Sequence, residues 1–274
     1  MPDEIIYEIK EISYSYMDRF NAINAVDLTI RKGEEVALLG ANGSGKSTLL
    51  LLLAGLIFST SGSIKFFGKD LKEETIIDAG FQKFFRSRVG IVFQNSDVQL
   101  FNSSVEDEIL FGLVQIGLSK NDIAKRHEKY IDLMDINSIR NRHPQNLSIG
   151  EKKRVAIASV LAMEPEVILL DEPTSGLDPR TSRHLIDAIS AISEKGATII
   201  TATQDIHIVP EIANRVIVLG ESRNIAKDGS AEDILNDSLF LESHNLIHTH
   251  IHKHKGLAHA HPHEHPSHDH PHAK

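Results

Sequence analysis

The chain has 274 residues, 41% of them hydrophobic, and a formal charge of -9. That suffices for a sizeable core in one large domain or two small ones, and the acidity argues against nonspecific binding to nucleic acid or anionic lipid. It contains no cysteine, which excludes disulfides and thiolate metal sites and fits a reducing compartment. The N-terminal MPDEIIYEIKEI lacks the basic and apolar regions of a secretory signal. The most apolar run, 49–57, is nine residues long, against roughly 20 for a spanning helix.

Short β-prone pieces at 5–7, 12–14 and 26–28 predict strands of a small sheet. A strand over 35–39 runs into Gly40-Ala-Asn-Gly-Ser-Gly-Lys46-Ser47. A helix is predicted over 46–56, ended by Ser61-Gly62, then a strand over 63–67. A buried-type strand follows at 89–93. The polar stretch 95–145 carries apolar positions at helical spacing (Ile123, Tyr130, Leu133, Met134) and predicts a helical insertion. Helices are expected at 149–161, 180–193 and 208–214, and strands at 167–170, 198–201 and 216–219. Such alternation predicts a mostly parallel sheet covered on both faces.

The glycine loop matches G-x-x-x-x-G-K-[ST] and follows an apolar strand, which is the context phosphate binding needs. Gly40, Gly43 and Gly45 let backbone N–H groups turn inward. With Asn42, Ser44 and Thr48 they form a cradle at a helix N-terminus for phosphate oxygens. Lys46 is placed to reach the β- and γ-phosphates, and the Ser47 hydroxyl to bind Mg²⁺. Asp171 and Glu172 end a buried strand, where open α/β sheets bind ligands. Asp171 is the candidate Mg²⁺ holder and Glu172 the candidate base for the attacking water.

Together these motifs resemble the ATP-binding subunit of an ABC transporter over about residues 4–240. The resemblance implies an α/β fold: a RecA-like P-loop NTPase core, an antiparallel β-subdomain and a helical subdomain near 95–160, within an ATP-binding domain spanning 1–243. It also implies ATP hydrolysis with Mg²⁺ in a head-to-tail sandwich of two such subunits, identical or related. Tyr16 resembles the aromatic that stacks on adenine. Gln94 resembles the glutamine that touches Mg²⁺ and water and senses the membrane partner. Ser148, Gly150 and Glu151 occupy the signature loop that meets the opposite subunit's γ-phosphate, and Asp178 resembles the aspartate that shapes the dimer interface.

Two positions depart from the pattern. Ile149 replaces a glycine, and a β-branched residue resists positive φ. Gln204 stands where the family usually has a catalytic histidine; it can donate a hydrogen bond but cannot shuttle a proton. His207 is the nearby substitute, although its position reads as an ordinary helix start.

The segments 94–101 and 104–112 are similar to the energy-coupling-factor branch of importers, and LSIGEKKRVAIASVLAMEPEVILLDEP resembles its cobalt and nickel members. This implies an integral-membrane coupling subunit docked near 94–112 and a peripheral place on the cytoplasmic face of the membrane. From His244 the composition breaks: the tail, 244–274, holds twelve of the sixteen histidines. It predicts a segment without a core, disordered when no ligand is bound. His248, His250, His252, His254, His259, His261, His263, His265, His268, His270 and His272 are candidate ligands for Ni²⁺, Co²⁺ or Zn²⁺. The competing readings are a vitamin importer served by a shared ATPase, and a metal-buffering protein on an ABC ATPase fold. A soluble ABC ATPase of DNA repair or translation is disfavoured, because no coiled-coil insertion or tandem domain is visible.

Overall fold

The computed structural model of the chain describes residues 4–17, 19–254 and 257–263, and side chains as far as residue 247. Two sheets share one apolar seam. The first is a four-stranded antiparallel sheet in the order β2-β1-β4-β5, made of β1 (Ile5–Tyr16), β2 (Phe20–Arg31), β4 (Ser61–Phe66) and β5 (Lys69–Asp70). The second has six strands in the order β10-β9-β3-β8-β7-β6. Its members are β3 (Glu35–Leu39), β6 (Val89–Val92), β7 (Val167–Asp171), β8 (Thr198–Thr203), β9 (Arg215–Leu219) and β10 (Ile225–Ser230). Strands β9, β3, β8, β7 and β6 are parallel, and β10 closes the edge antiparallel to β9. β7 and β8 are buried at every residue, as a strand covered on both faces must be.

Helix α1 (Lys46–Leu53) lies in the seam. Leu49, Leu50, Leu52 and Leu53 join one core cluster with Ile23 and Val26 of β2, Phe66 of β4 and Leu169 of β7. The Tyr7 hydroxyl of β1 donates to the Leu53 carbonyl at 2.8 Å, satisfying an orphan acceptor at the helix C-terminus. The helix stops before the predicted Leu56 because Gly55 turns left-handed (φ +57°). Ser61 and Gly62, read as the end of that helix, instead open β4. Helices α2 (Glu73–Ile76) and α3 (Ala79–Arg86) follow β5 and were not foreseen.

The predicted helical insertion contains α4 (Val105–Gln115) and α5 (Lys120–Leu133), then short 3₁₀ turns that lead to α6 (Ile149–Leu161). Ile109, Leu113, Tyr130, Ile131 and Val155 pack together as its core. α6 also reaches the main sheet through Ile157 and Leu161, which share that cluster with Leu170 of β7. α7 (Pro179–Ser193) and α8 (Val209–Ile212) complete the helical cover, and α9 (Ala231–Leu235) and α10 (Ser238–Ser243) follow β10. Among the described residues, no helix is long and apolar enough to cross a membrane.

At the tail, where composition predicts no core, β11 (His248–His254) pairs antiparallel with β12 (Leu257–His263) and joins neither main sheet. Period-two alternation of His with Thr249, Ile251 and Lys253 suits an extended backbone. His265, His268, His270 and His272 lie outside the described residues.

Candidate functional site

The loop between β3 and α1 closes on its own backbone. A Cβ on Gly40 would run into the Ser44 hydroxyl and stand 2.7 Å from the Leu219 carbonyl oxygen. Gly45 caps α1 at φ +105°, and a Cβ there would meet the Ala22 carbonyl and Ile23 Cδ1. Any side chain at either position would therefore push the loop off β9 or β2. Lys46 is buried, its Nζ donating to the Gly40 carbonyl at 2.8 Å and the Ala41 carbonyl at 3.3 Å. Burial lowers its pKa, opposed by the carboxylates of Glu172 and Asp171.

A cleft of about 340 Å³ opens over this loop. Tyr16, Asn42, Gly43, Gly45, Lys46, Ser47, Thr48, Gln94 and Glu172, all expected from sequence, line it together. Tyr16 is 40% exposed, which excludes a core role, and its hydroxyl lies 3.3 Å from Thr48 Oγ1. Sequence reasoning missed Phe20, Asn21, Ala22 and Arg223, which also line the cleft. Arg223 comes from the turn between β9 and β10, whose carbonyl accepts from Asn24 N at 2.9 Å. No local motif marks these residues; only the strand pairing brings them in.

Asp171 and Glu172 are each 8% exposed at the C-terminal end of β7. Burial raises the Asp171 pKa, against the Ser47 hydroxyl and the charges of Lys46 and Lys153. Asp171 Oδ1 has no hydrogen-bond partner among the described residues. A buried carboxylate oxygen left unpaired beside a serine hydroxyl is the donor set a hard divalent cation takes, so Ser47 and Asp171 fit Mg²⁺. Burial also raises the Glu172 pKa; Lys46 pulls it down, while the Asp171 charge pushes it up. Glu172 sits at φ +45°, a left-handed conformation that costs about 1–3 kcal/mol away from glycine. Its N–H donates to the Ala202 carbonyl at 2.9 Å, and Thr203 Oγ1 donates to its Oε2 at 3.3 Å.

Gln204 follows β8; its backbone N–H faces the Glu172 carboxylate, and its side chain is exposed and outside the cleft lining. His207 lies exposed in the turn before α8, also outside the lining.

Ser148, Gly150, Glu151 and Asp178 stand apart from the cleft. Ser148 caps α6 in a reciprocal box: its Oγ accepts from Glu151 N at 3.3 Å, and its own N–H donates to Glu151 Oε2 at 2.8 Å. The Ser148 hydroxyl in turn acts on the Glu151 carboxylate. The Ser148 N–H holds the Glu151 carboxyl below the usual glutamate range. Ile149 is in the first turn of α6 with no left-handed φ, so the feared strain is absent; it is 69% exposed and reaches Gly176. Asp178 caps α7, accepting from Arg180 N and Thr181 N at 3.0 Å each.

Residues 23–175 match the ABC transporter family. The chain belongs to that family. Among ABC proteins it is 40% identical to the energy-coupling factor transporter ATP-binding protein EcfA of Methanococcus maripaludis, over 88% of this chain and 85% of the relative. It superposes on cbiO1 from Clostridium perfringens, part of the ABC transporter complex cbiONQ, with TM-score 0.74, 36% identity, and 89% and 96% of the two chains covered. It also superposes on the dimeric ATP-binding cassette MJ0796 bound to ADP and Pi in a post-hydrolysis state, with TM-score 0.75, 26% identity, and 82% and 99% covered. The chain is an ABC transporter ATP-binding subunit that hydrolyses ATP, close to the EcfA and CbiO-like ATPases.

Proposed function

We propose that this chain powers an energy-coupling-factor importer of a divalent metal ion, nickel or cobalt, from the cytoplasmic face of the membrane. The cleft holds ATP: Tyr16 contacts the base, Lys46 and the loop N–H groups hold the phosphates, Ser47 and Asp171 hold Mg²⁺, with Gln94 beside them. When bound, Mg²⁺ neutralises phosphate charge. Glu172 acts as the base for water.

The observation that carries the transporter reading is a set of exposed apolar residues that follows Gln94 in the chain. Val98, Phe101, Phe111 and Val114 are 70%, 67%, 45% and 59% exposed, and the Phe101 and Phe111 rings meet edge to face at 5.1 Å. The buried Glu108 carboxylate fixes the loop that presents Phe101, accepting from Phe101 N at 3.0 Å and Asn102 N at 2.8 Å. An exposed aromatic patch on a charged chain marks a docking surface, and residues 94–112 are the place we assign to the membrane coupling subunit. A second ATPase subunit, identical or related, covers Ser148, Gly150, Glu151 and Asp178. These residues lie toward the surface at the N-termini of α6 and α7, where the positive end of a helix favours a phosphate from outside the chain.

The metal assignment rests on the tail. Backbone register sets His248 opposite His263, His250 opposite His261 and His252 opposite His259, which brings imidazole-bearing positions into neighbouring register. We assign the tail to capture or buffering of the imported ion. Cells lacking this chain should lose nickel or cobalt accumulation and regain it on complementation. Loss of vitamin uptake with metal uptake intact would place the chain in a shared vitamin module instead. ATPase activity of the reconstituted complex with each metal separates nickel from cobalt.

Gln204 gives a further expectation. With no imidazole at the end of β8, hydrolysis runs slowly; Gln204→His should raise kcat by about 10-fold, below the roughly 10²- to 10⁴-fold of acid–base catalysis because Glu172 already serves as the base. A lowered kcat in that variant would refute the argument that an imidazole is the group missing at this position.

A further inference from the structure

Lys153 is a charged side chain buried in the middle of α6, only 2% exposed. Among the described residues it has no carboxylate within ion-pair distance. Its Nζ donates to the Gln94 carbonyl at 2.7 Å and makes longer contacts with the Glu172 carbonyl at 3.4 Å and the Phe93 carbonyl at 3.5 Å. A buried ammonium held only by backbone carbonyls is costly to desolvate, and the charges of Asp171 and Glu172 only partly oppose that cost. The site must supply a reason for a lysine here.

The neighbours give one. Two other contacts already fasten the Gln94 loop to α6. Lys152 pairs with Asp97 at 2.6 Å, and the Gln99 side chain spans from Phe93 N (3.1 Å) to the Ala156 carbonyl (3.1 Å). Of these three fasteners, Lys153 alone also reaches Glu172. It takes the carbonyl of a residue held left-handed, whose N–H is fixed on the other side by Ala202. The same helix begins at Ser148, one turn away.

We infer that Lys153 is a positioning residue: it sets the Gln94 loop and the Glu172 backbone in register with the α6 N-terminus. A shift of α6 at its Ser148 end then moves Gln94 and Glu172 together in the same subunit. This rests on the proposed roles of Gln94 and Glu172. It adds that closure against a partner subunit is reported inward to the hydrolytic residues through one ammonium group.

The test compares full-length wild type, Lys153→Met, Lys153→Gln and Glu172→Gln. The readouts are kcat at saturating Mg-ATP and equilibrium ATP affinity without turnover. Lys153→Met keeps the apolar stem, one atom shorter, and removes every side-chain donor. It should lower kcat at least about 10-fold and leave ATP affinity within about 2-fold. Lys153→Gln, of the same length as Met but with an amide donor, should fall between it and the wild type. A Lys153→Met kcat within 2-fold of wild type overturns the proposal, as does an affinity loss that tracks the kcat loss, which marks a merely structural lysine. If Lys153→Met does not fold, Lys153→Gln decides: lowered kcat at unchanged affinity supports the proposal, and wild-type kcat overturns it. Glu172→Gln keeps the two ideas apart, because wild-type turnover in that variant refutes the role given to Glu172 whatever Lys153 does.

Discussion

Glu172→Gln is expected to abolish turnover while ATP still binds. The change keeps the shape of the side chain and its bond from Thr203 Oγ1, so the cleft should stay intact. It removes the lone pair that takes the proton of the attacking water. General base catalysis contributes about 10²- to 10⁴-fold, equal to roughly 3–5 kcal/mol of barrier. Single-turnover hydrolysis should fall by that factor, and binding of a fluorescent ATP analogue should change little. The pH dependence carries the same signature. Burial and the adjacent Asp171 raise the Glu172 pKa above its ordinary 4.5. The active form is the carboxylate, present above that pKa, so wild-type kcat should fall as pH drops through a value higher than that of a free glutamate. In Glu172→Gln the limb should disappear. A residual rate with an unshifted acidic limb would assign the base elsewhere.

Lys46→Ala should act on binding first. Its ammonium is the buried cation of the loop and is held in place by the Gly40 and Ala41 carbonyls. Those bonds are to neutral acceptors, so a phosphate competes well for the same donors. Hydrogen bonds to charged groups contribute about 1.5–3 kcal/mol. ATP affinity should therefore weaken about 10- to 150-fold, read by equilibrium titration, with the loop backbone still supplying its N–H donors. Removing the lysine also takes a positive neighbour from Asp171 and Glu172, whose pKa values it lowers, so both carboxyls should titrate at higher pH. An ATP affinity within 2-fold of wild type would leave the loop without its proposed role.

The parts of this site that were legible in sequence are those where chemistry and chain order coincide. Gly40 to Thr48 is one loop and one helix start, and its glycines are needed where a Cβ would strike Ser44 or Ala22. Asp171 and Glu172 announce themselves as carboxylates ending a run of five buried strand residues. Helix α6 is legible to its residue limits because the Ser148-x-Gly150 turn opens it and apolar positions follow at helical spacing. Phe20, Asn21, Ala22 and Arg223 were not legible, since β2 and the β9–β10 turn reach the cleft only through sheet pairing. Helix α3 was missed because it is eight residues long, too short for its period to stand out, although Phe81 and Phe85 anchor it. Lys153 is the instructive miss. In EKKR it looks like one of several solvated charges. Yet Ala156, Ile157 and Val160 lie three, four and seven residues on, and all are buried, so the helical period already placed this lysine on the inner face.

The bond from Tyr7 to the end of α1 and the leucine seam beneath it have a mechanical consequence. β1, which carries Tyr16, and the helix that carries the phosphate loop are mounted on a single chassis. Among the described residues the wall from Tyr16 to the phosphate loop is thus one packed body, a fixed plate on one side of the cleft.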